Sequence, residues 1–312
     1  MRPHRIGIVG LGKIAQDQHL PVIRANPAFQ LVAVSSQRGL DVEGVPHAFR
    51  THREMLDQVP DLDAVAICTP PQVRHAIAKD VLAAGKHVLL EKPPAATLSE
   101  LTDLRRMAEV TGRTLFTTWH SQYNRAVDEA RKVLADQSVT RLFVSWKEDV
   151  RHWHPGQKWI WEAGGFGVFD PGINALSIVT RIMPEPIFVR NAEMEFPANA
   201  DAPIAANLDF SSSRPEASLR AEFDWRQTGP QTWDIHIETE QGLRLKLMNG
   251  GSRLEIDGQL AAEEAPAEYE GIYRHFDALL REGRSDVDEA PFQLVADAFM
   301  IGRRVVVEAF ED

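Results

Sequence analysis

Cysteine is nearly missing from this sequence, with one residue, Cys68, among 312. A single thiol excludes an internal disulfide framework and any cysteine-rich zinc site. Cys68 lies in the apolar run Ala64–Cys68 (AVAIC), where a small buried hydrophobe is the simplest reading. Long apolar stretches are missing as well. No window approaches the ~18 consecutive apolar residues of a membrane-spanning helix. The opening residues MRPHRIGIVGLG run directly into a strand pattern with no cleavable leader ahead of it. The expectation is a soluble, cytoplasmic protein. Positive charge is in short supply, with 34 Lys and Arg against 45 Asp and Glu and a net charge of −11. That balance disfavours nucleic acid or an acidic membrane as partner. The excess is one-sided: residues 1–120 carry 14 basic against 12 acidic residues, and residues 121–312 carry 20 against 33. A near-neutral first part can accept an anionic ligand, whereas the acidic second part is a poor host for a phosphorylated one.

What is present is enough apolar material, 44% of residues, for two buried cores. Through residue 120, short continuous apolar runs alternate with helical patterns. Arg5–Val9, Phe29–Ser35, Ala64–Cys68, His87–Leu90 and Thr114–Thr118 read as strands, and segments ending near Ala25, Ala84 and Val110 read as helices. This rhythm predicts a doubly wound parallel sheet, covered on both faces, as domain 1–120. After residue 120 period-2 patterns take over at Arg141–Lys147, Ile187–Met194, Ala217–Trp225 and Trp233–Glu238. Leu243–Ile256 reads as a hairpin turning at Asn249-Gly250-Gly251. Helical patterns at Arg125–Ala135, Tyr269–Glu282 and Pro291–Glu311 complete an α+β domain, 121–312, with a large, open and mostly antiparallel sheet. The last helices are free to pack back on the first domain.

Gly10-Leu11-Gly12-Lys13-Ile14-Ala15 follows the first strand and opens a helix, in the form G-x-G-x-x-A. Gly10 permits the tight turn, and Gly12 lets backbone approach a pyrophosphate. The helix start at Lys13 and Ile14 offers free N–H groups and the positive end of the helix dipole. A dinucleotide is the ligand this turn suits. The second strand ends in Ser35-Ser36-Gln37-Arg38, without the carboxylate that would bond both ribose hydroxyls of NAD. A serine hydroxyl and an arginine fork can instead hold a 2′-phosphate. NADP is therefore the preferred cofactor, with NAD also accepted.

Glu91-Lys92-Pro93-Pro94 stands at the carboxyl edge of the predicted sheet, where open α/β sheets bind ligands. Pro93 holds Lys92 out of the helical region. A lysine beside a positively charged nicotinamide is disposed to exchange a proton with a substrate hydroxyl. Residues 69–93, TPPQVRHAIAKDVLAAGKHVLLEKP, together with the glycine turn, resemble the Gfo/Idh/MocA oxidoreductases. The resemblance implies a Rossmann domain, an open-sheet second domain, and hydride transfer between NAD(P) and a sugar, polyol or related substrate. It makes Lys92 the catalytic-site lysine, with Glu91 positioning it and the cofactor. Thr69, Pro70 and His75 of the same stretch then belong to the cofactor site.

Residues 164–174, GGFGVFDPGIN, resemble the second active-site segment of that family, with Asp170 in the aspartate position and Asn174 where histidine is usual. Asparagine cannot act as a general base but can orient a hydroxyl. Asp170 and Lys92 remain as candidate proton acceptors. Read without chemistry, Asp170-Pro171 would be a helix cap followed by proline in the first turn. The Asp/Asn variant, with His120, Glu148 and Trp153, resembles the family's bacterial aldose 1-dehydrogenases. It implies oxidation of C1 of a free sugar such as L-arabinose, D-galactose or D-fucose to the aldonolactone. His120, Glu148, Trp153 and Trp233 then join Asp170 and Asn174 in binding the monosaccharide. His152 and His154 flank Trp153, but two histidines at i, i+2 make a poor metal site, and none is expected. Relatives associate through the second domain's sheet, so the resemblance also implies a homo-oligomer.

Overall fold

A computed structural model of the protein describes residues 2–265 and 267–311. In the first part of the chain, β1 (His4–Val9), β2 (Phe29–Ser35), β3 (His47–Phe49), β4 (Ala64–Ile67), β5 (His87–Leu90) and β6 (Leu115–Thr117) form one sheet in the order β3-β2-β1-β4-β5-β6. Every pairing is parallel. The central strands are apolar on both faces: all four residues of β4 are buried, as are the last four of β1. Connecting helices are α1 (Leu20–Ala25), α2 (His52–Gln58), α3 (Pro71–Ala83) and α4 (Leu98–Thr111). The sheet reverses direction of winding between β1 and β4, where such sheets bind ligands. β3 and α2 are additions to the sequence reading. β3 is mostly exposed, and α2 buries Met55 alone, so neither leaves a strong apolar period.

The second part is built on a nine-stranded sheet with the order β14-β13-β12-β11-β7-β10-β9-β8-β15. Its elements in chain order are α5 (Arg125–Leu134), β7 (Val139–Lys147), α6 (Val150–Trp153), α7 (Phe169–Ile182), β8 (Phe188–Pro197), β9 (Ala205–Ser211), β10 (Ser218–Asp224), β11 (Thr232–Thr239), β12 (Arg244–Met248), β13 (Arg253–Ile256) and β14 (Gln259–Glu263). Only β7 with β10 and β8 with β15 run parallel. Leu142, Val144 and Trp146 of β7 and Leu219, Ala221 and Phe223 of β10 are buried in strict alternation. They face α7, which is buried on nearly all sides. A Cβ on Gly172 would come within 3.2 Å of the Phe223 ring, so glycine lets α7 lie directly on β10.

The chain then returns through α8 (Glu268–Glu282), followed by α9 (Ala290–Ile301) and β15 (Arg303–Val307). Contacts group the residues up to Trp119 with Tyr269–Asp288 as one unit, and His120–Glu268 with those from Glu289 onward as the other. The expected closing helix to Glu311 is corrected here, since it stops at Ile301. A Cβ on Gly302 would sit 2.4 Å from the Ala298 carbonyl. The β-branched run Val305-Val306-Val307 instead pairs in parallel with β8.

Candidate active site

In the first unit the chain leaves β1 at Gly10 with φ +93°, a conformation that glycine adopts without strain. A Cβ there would press to 3.0 Å on the backbone of Cys68 and Thr69. Gly12 has open space on the side where its Cβ would lie, with no atom within 4 Å. That is the clearance a pyrophosphate needs to approach backbone. Lys13 and Ile14 begin the helix, with Lys13 paired to Asp17, and Ala15–His19 form a widened π-turn closed by the Leu20 N–H on the Ala15 carbonyl. Arg38 reaches this turn, its Nη2 donating to the Leu11 carbonyl at 3.3 Å. Ser36 is buried and its N–H bonds the Phe49 carbonyl at 2.9 Å. Arg50, absent from the sequence reading, lies over Gly39 and donates to the Gln37 carbonyl at 3.4 Å. It follows β3, the strand whose period was too weak to read, and adds a second cation beside Ser36, Gln37 and Arg38.

The β4 and β5 edges are joined by a buried arginine. Arg74 of α3 donates to the carbonyls of Thr69, Glu91 and Pro93, bracketing Lys92 through its main chain. Pro70 precedes α3. His75, the residue expected near the cofactor, bonds Asp103 of α4 at 3.0 Å. Neighbours on a helix diverge by ~100°, so Arg74 and His75 serve different faces. Lys92 is half-buried. Glu91 is buried, with one carboxylate oxygen accepting the Lys92 N–H at 2.9 Å. Its other oxygen accepts the Tyr269 hydroxyl at 2.8 Å and lies 2.9 Å from His19 Nε2. The remaining nitrogen of His19 is 2.7 Å from the Tyr273 hydroxyl. Burial alone would push His19 toward neutrality. The surrounding Cys68, Tyr273 and Glu91 outweigh it and raise its pKa well above 6.5. Burial pushes the Tyr273 phenol up to about 12, so it stays protonated.

In the second unit, three adjacent strands end together. β7 runs into Glu148, β10 ends before Trp225, and β11 begins beside Trp233. Glu148 is buried, and its two oxygens accept the indole N–H of Trp225 at 3.2 Å and of Trp233 at 2.9 Å. Trp146 stacks on Trp233 with centroids 5.8 Å apart, and Trp153 tilts against it at 5.1 Å. Asp149 caps α6, which delivers His154 to this cluster. His154 Nε2 lies 3.8 Å from Glu148 and 3.7 Å from Asp170. Asp170 is itself buried, and Asn174, four residues on, shares its helix face and is partly exposed. The helix-cap reading of Asp170 is corrected: α7 begins at Phe169, and no side chain caps it. Gly165 and Gly167 account for this entry, since a Cβ on either would lie 2.0 Å from the Trp159 carbonyl or 2.3 Å from that of Pro203. His120 bonds Glu268 at 2.7 Å, and its turn is tied to α7 by Gln122 donating to the Ser177 carbonyl at 3.0 Å. The structure thus gathers Glu148, Trp153, Asp170 and Trp233 about one strand end, with Asn174 one turn along α7 from Asp170, and pairs His120 with Glu268. Sequence reasoning missed His154 and Trp225. The only signal for His154 was its closeness to Trp153. Among the described residues, no group of three His, Cys, Asp or Glu is arranged to hold a metal ion.

A doubly wound sheet with a glycine turn and open backbone, in one chain with a second unit holding buried acids, defines an NAD(P)-binding oxidoreductase. Residues 4–119 match the oxidoreductase family with an NAD-binding Rossmann fold, Gfo/Idh/MocA. Over 316 aligned residues the chain is 49% identical to galactose 1-dehydrogenase from Pseudomonas fluorescens, covering 100% of both. The crystal structure of D-galactose-1-dehydrogenase from Rhizobium etli is 54% identical and superposes with a TM-score of 0.94, over 100% of this chain and 99% of that one. A 3-ketoreductase from Actinomadura kijaniata, solved with NADP, shares the fold at 17% identity, with a TM-score of 0.82 over 98% and 99% of the two chains. This chain belongs to the Gfo/Idh/MocA family of oxidoreductases.

Proposed function

We propose that the protein oxidises the anomeric carbon of a free aldose of the D-galactose type to the aldonolactone, preferring NADP and accepting NAD. The observation that carries this reading is the buried pair Glu148 and Asp170 sharing His154 at 3.8 and 3.7 Å, against Trp225 and Trp233. Indole faces suit the C–H face of a pyranose, while carboxylate, amide and imidazole groups suit its hydroxyls. Two buried carboxylates repel a phosphate, which favours an uncharged sugar. The full-length likeness to two galactose 1-dehydrogenases supports the same substrate class. L-Arabinose and D-fucose share ring stereochemistry with D-galactose and belong to the proposal.

The first unit fits the dinucleotide. Gly10, Gly12 and the N–H groups of Lys13 and Ile14 would hold the pyrophosphate, and Ser36, Gln37, Arg38 and Arg50 the 2′-phosphate. Bound there, the nicotinamide supplies the hydride acceptor. The chain must remove the C1-hydroxyl proton and orient the sugar. Asp170 takes that proton, with Lys92 as the alternative acceptor. His154, 3.8 and 3.7 Å from the two acids, offers the proton a further stop. Lys92 and Asn174 hold the hydroxyl, and His120, Glu148, Trp153 and Trp233 read the remaining groups. A cytoplasmic setting and a homo-oligomer through the nine-stranded sheet belong to the same proposal, the latter checked by light scattering.

Turnover with each cofactor should be followed for D-galactose, L-arabinose and D-fucose against D-galactose 6-phosphate and myo-inositol, with the lactone identified as product. The highest kcat/KM is expected for a free aldose. A higher value for the phosphate or for myo-inositol would overturn the substrate assignment.

A further inference from the structure

α8 carries Tyr269 and Tyr273 one helical turn apart, both buried, and it brings Tyr269 to the carboxylate that precedes Lys92 and Tyr273 to His19, which bonds the same carboxylate. We propose that His19, Tyr269 and Tyr273 are positioning residues that fix Lys92 through Glu91. The inference rests on the reading of Lys92 as a catalytic group, and it names what holds that lysine in place.

A lysine side chain on a loop has four rotatable bonds, so its ammonium is only as well placed as its backbone. Here the backbone is held from two directions. Arg74 binds the carbonyls of Glu91 and Pro93, on either side of Lys92. The Lys92 N–H is held by Glu91, whose orientation is set in turn by Tyr269 and His19 at 2.8 and 2.9 Å. A buried carboxylate is costly unless its oxygens are satisfied, and these three donors satisfy them. His19 gains a second partner in Tyr273 at 2.7 Å, which fixes the plane of its ring. The rings of Tyr269 and Tyr273 meet that imidazole edge-on, at 5.0 and 5.7 Å.

Two features set this cluster apart from ordinary core packing. Apolar residues of the same volume would fill the space at no loss, and often a gain, in stability. The hydrogen-bond chain Tyr273–His19–Glu91 also terminates on the one amide belonging to Lys92. His19 further belongs to the π-turn of the helix that starts at the dinucleotide turn, Ala15–His19. Such widened turns recur at functional sites because they re-aim a side chain. One carboxylate therefore ties the cofactor-binding helix, the lysine loop and α8 together. The brace on Lys92 is thereby anchored in the helix that opens at the dinucleotide turn.

The test compares Tyr269→Phe, His19→Gln and His19→Leu with wild type and with Lys92→Met. In the cofactor-free protein, hydrogen exchange of a peptide spanning residues 89–94 reports chiefly on Glu91 and Lys92, since Pro93 and Pro94 have no amide hydrogen. Tyr269→Phe and His19→Leu should speed that exchange and lower kcat by about tenfold, as expected for loss of a hydrogen bond to a charged group. KM for sugar and cofactor should stay within about threefold. His19→Gln, which keeps a donor toward Glu91, should retain more of both properties than His19→Leu. Should His19→Leu fail to fold, Tyr269→Phe still decides, because it removes one hydroxyl and no volume. A lowered melting temperature with unchanged exchange and unchanged kcat would make the cluster merely structural and overturn the inference. Full turnover by Lys92→Met would instead overturn the reading of Lys92, leaving exchange to report on the brace alone.

Discussion

Replacing Asp170 with asparagine removes a charge from a buried position while keeping its shape, and the structure gives that change a sharp meaning. Asp170 caps no helix and lies 3.7 Å from His154. Asp170→Asn should therefore leave the melting temperature within a few degrees of wild type. Loss of a positioned general base should lower turnover by about 10²–10⁴-fold. Turnover within about threefold of wild type would take Asp170 out of the chemistry and leave Lys92 as the base. In the first unit, Arg38→Ala should raise KM for NADP with little change for NAD, since only NADP carries a 2′-phosphate. Equal changes for both cofactors would reject that selectivity. Gly10, Lys92 and Asp170 could be nominated from the sequence because each stands in a short motif whose chemistry depends on its nearest neighbours. His154, Arg74 and His19 were not. His19 meets Tyr273 across 254 residues, and no local pattern encodes such a pairing.

Elements buried on both faces were the easiest to read. β1, β4 and β5 are continuous apolar runs, and the structure places each within a residue or two of its expected span. Exposed elements were harder: α2 has a Thr51–Glu54 capping box but shelters a single side chain, so its helical period is faint. The start of β5 holds a testable titration. His87 Nδ1 accepts the Thr114 N–H at 2.9 Å, which requires a neutral ring. Burial, helped by the nearby Arg113 cation, lowers its pKa from 6.5 to about 4. Below the unfolded value the folded state binds fewer protons than the unfolded chain. His87 thus contributes stability that is complete above pH 6.5 and is lost as pH falls toward 4. The loss at pH 4.5 should be about 2 kcal/mol, allowing for partial solvent access. His87→Gln can accept the same N–H without titrating, so its denaturation midpoint should fall less between pH 7 and 4.5. Parallel curves for the two proteins would assign the acid sensitivity to other groups.

At the scale of the whole molecule, the chain crosses between its two units three times, so no single cut separates them. The sequence reading set a boundary at residue 120 and left the last helices free to pack back on the first domain. Periodicity shows that a helix has an apolar face but not which sheet that face meets. Here α8 buries Tyr269, Ile272, Tyr273, Phe276 and Leu279 in the first unit. Phe276 stacks against both Phe29 and Phe116 with centroids 6.0 Å apart, and Tyr273 meets Phe29 edge-on at 5.3 Å. Each such side chain contributes roughly 1.5–3 kcal/mol when buried. Together they approach the whole stability of a typical domain, about 5–15 kcal/mol. A fragment ending at Trp119 should therefore lack a cooperative thermal transition and bind NADP weakly. Joining residues 269–288 to it through a flexible glycine–serine linker should restore both. A cooperative melt near the full-length value from the shorter fragment would show that the doubly wound sheet closes its core without α8. The aromatic side chains of α8 would then serve the lysine loop alone.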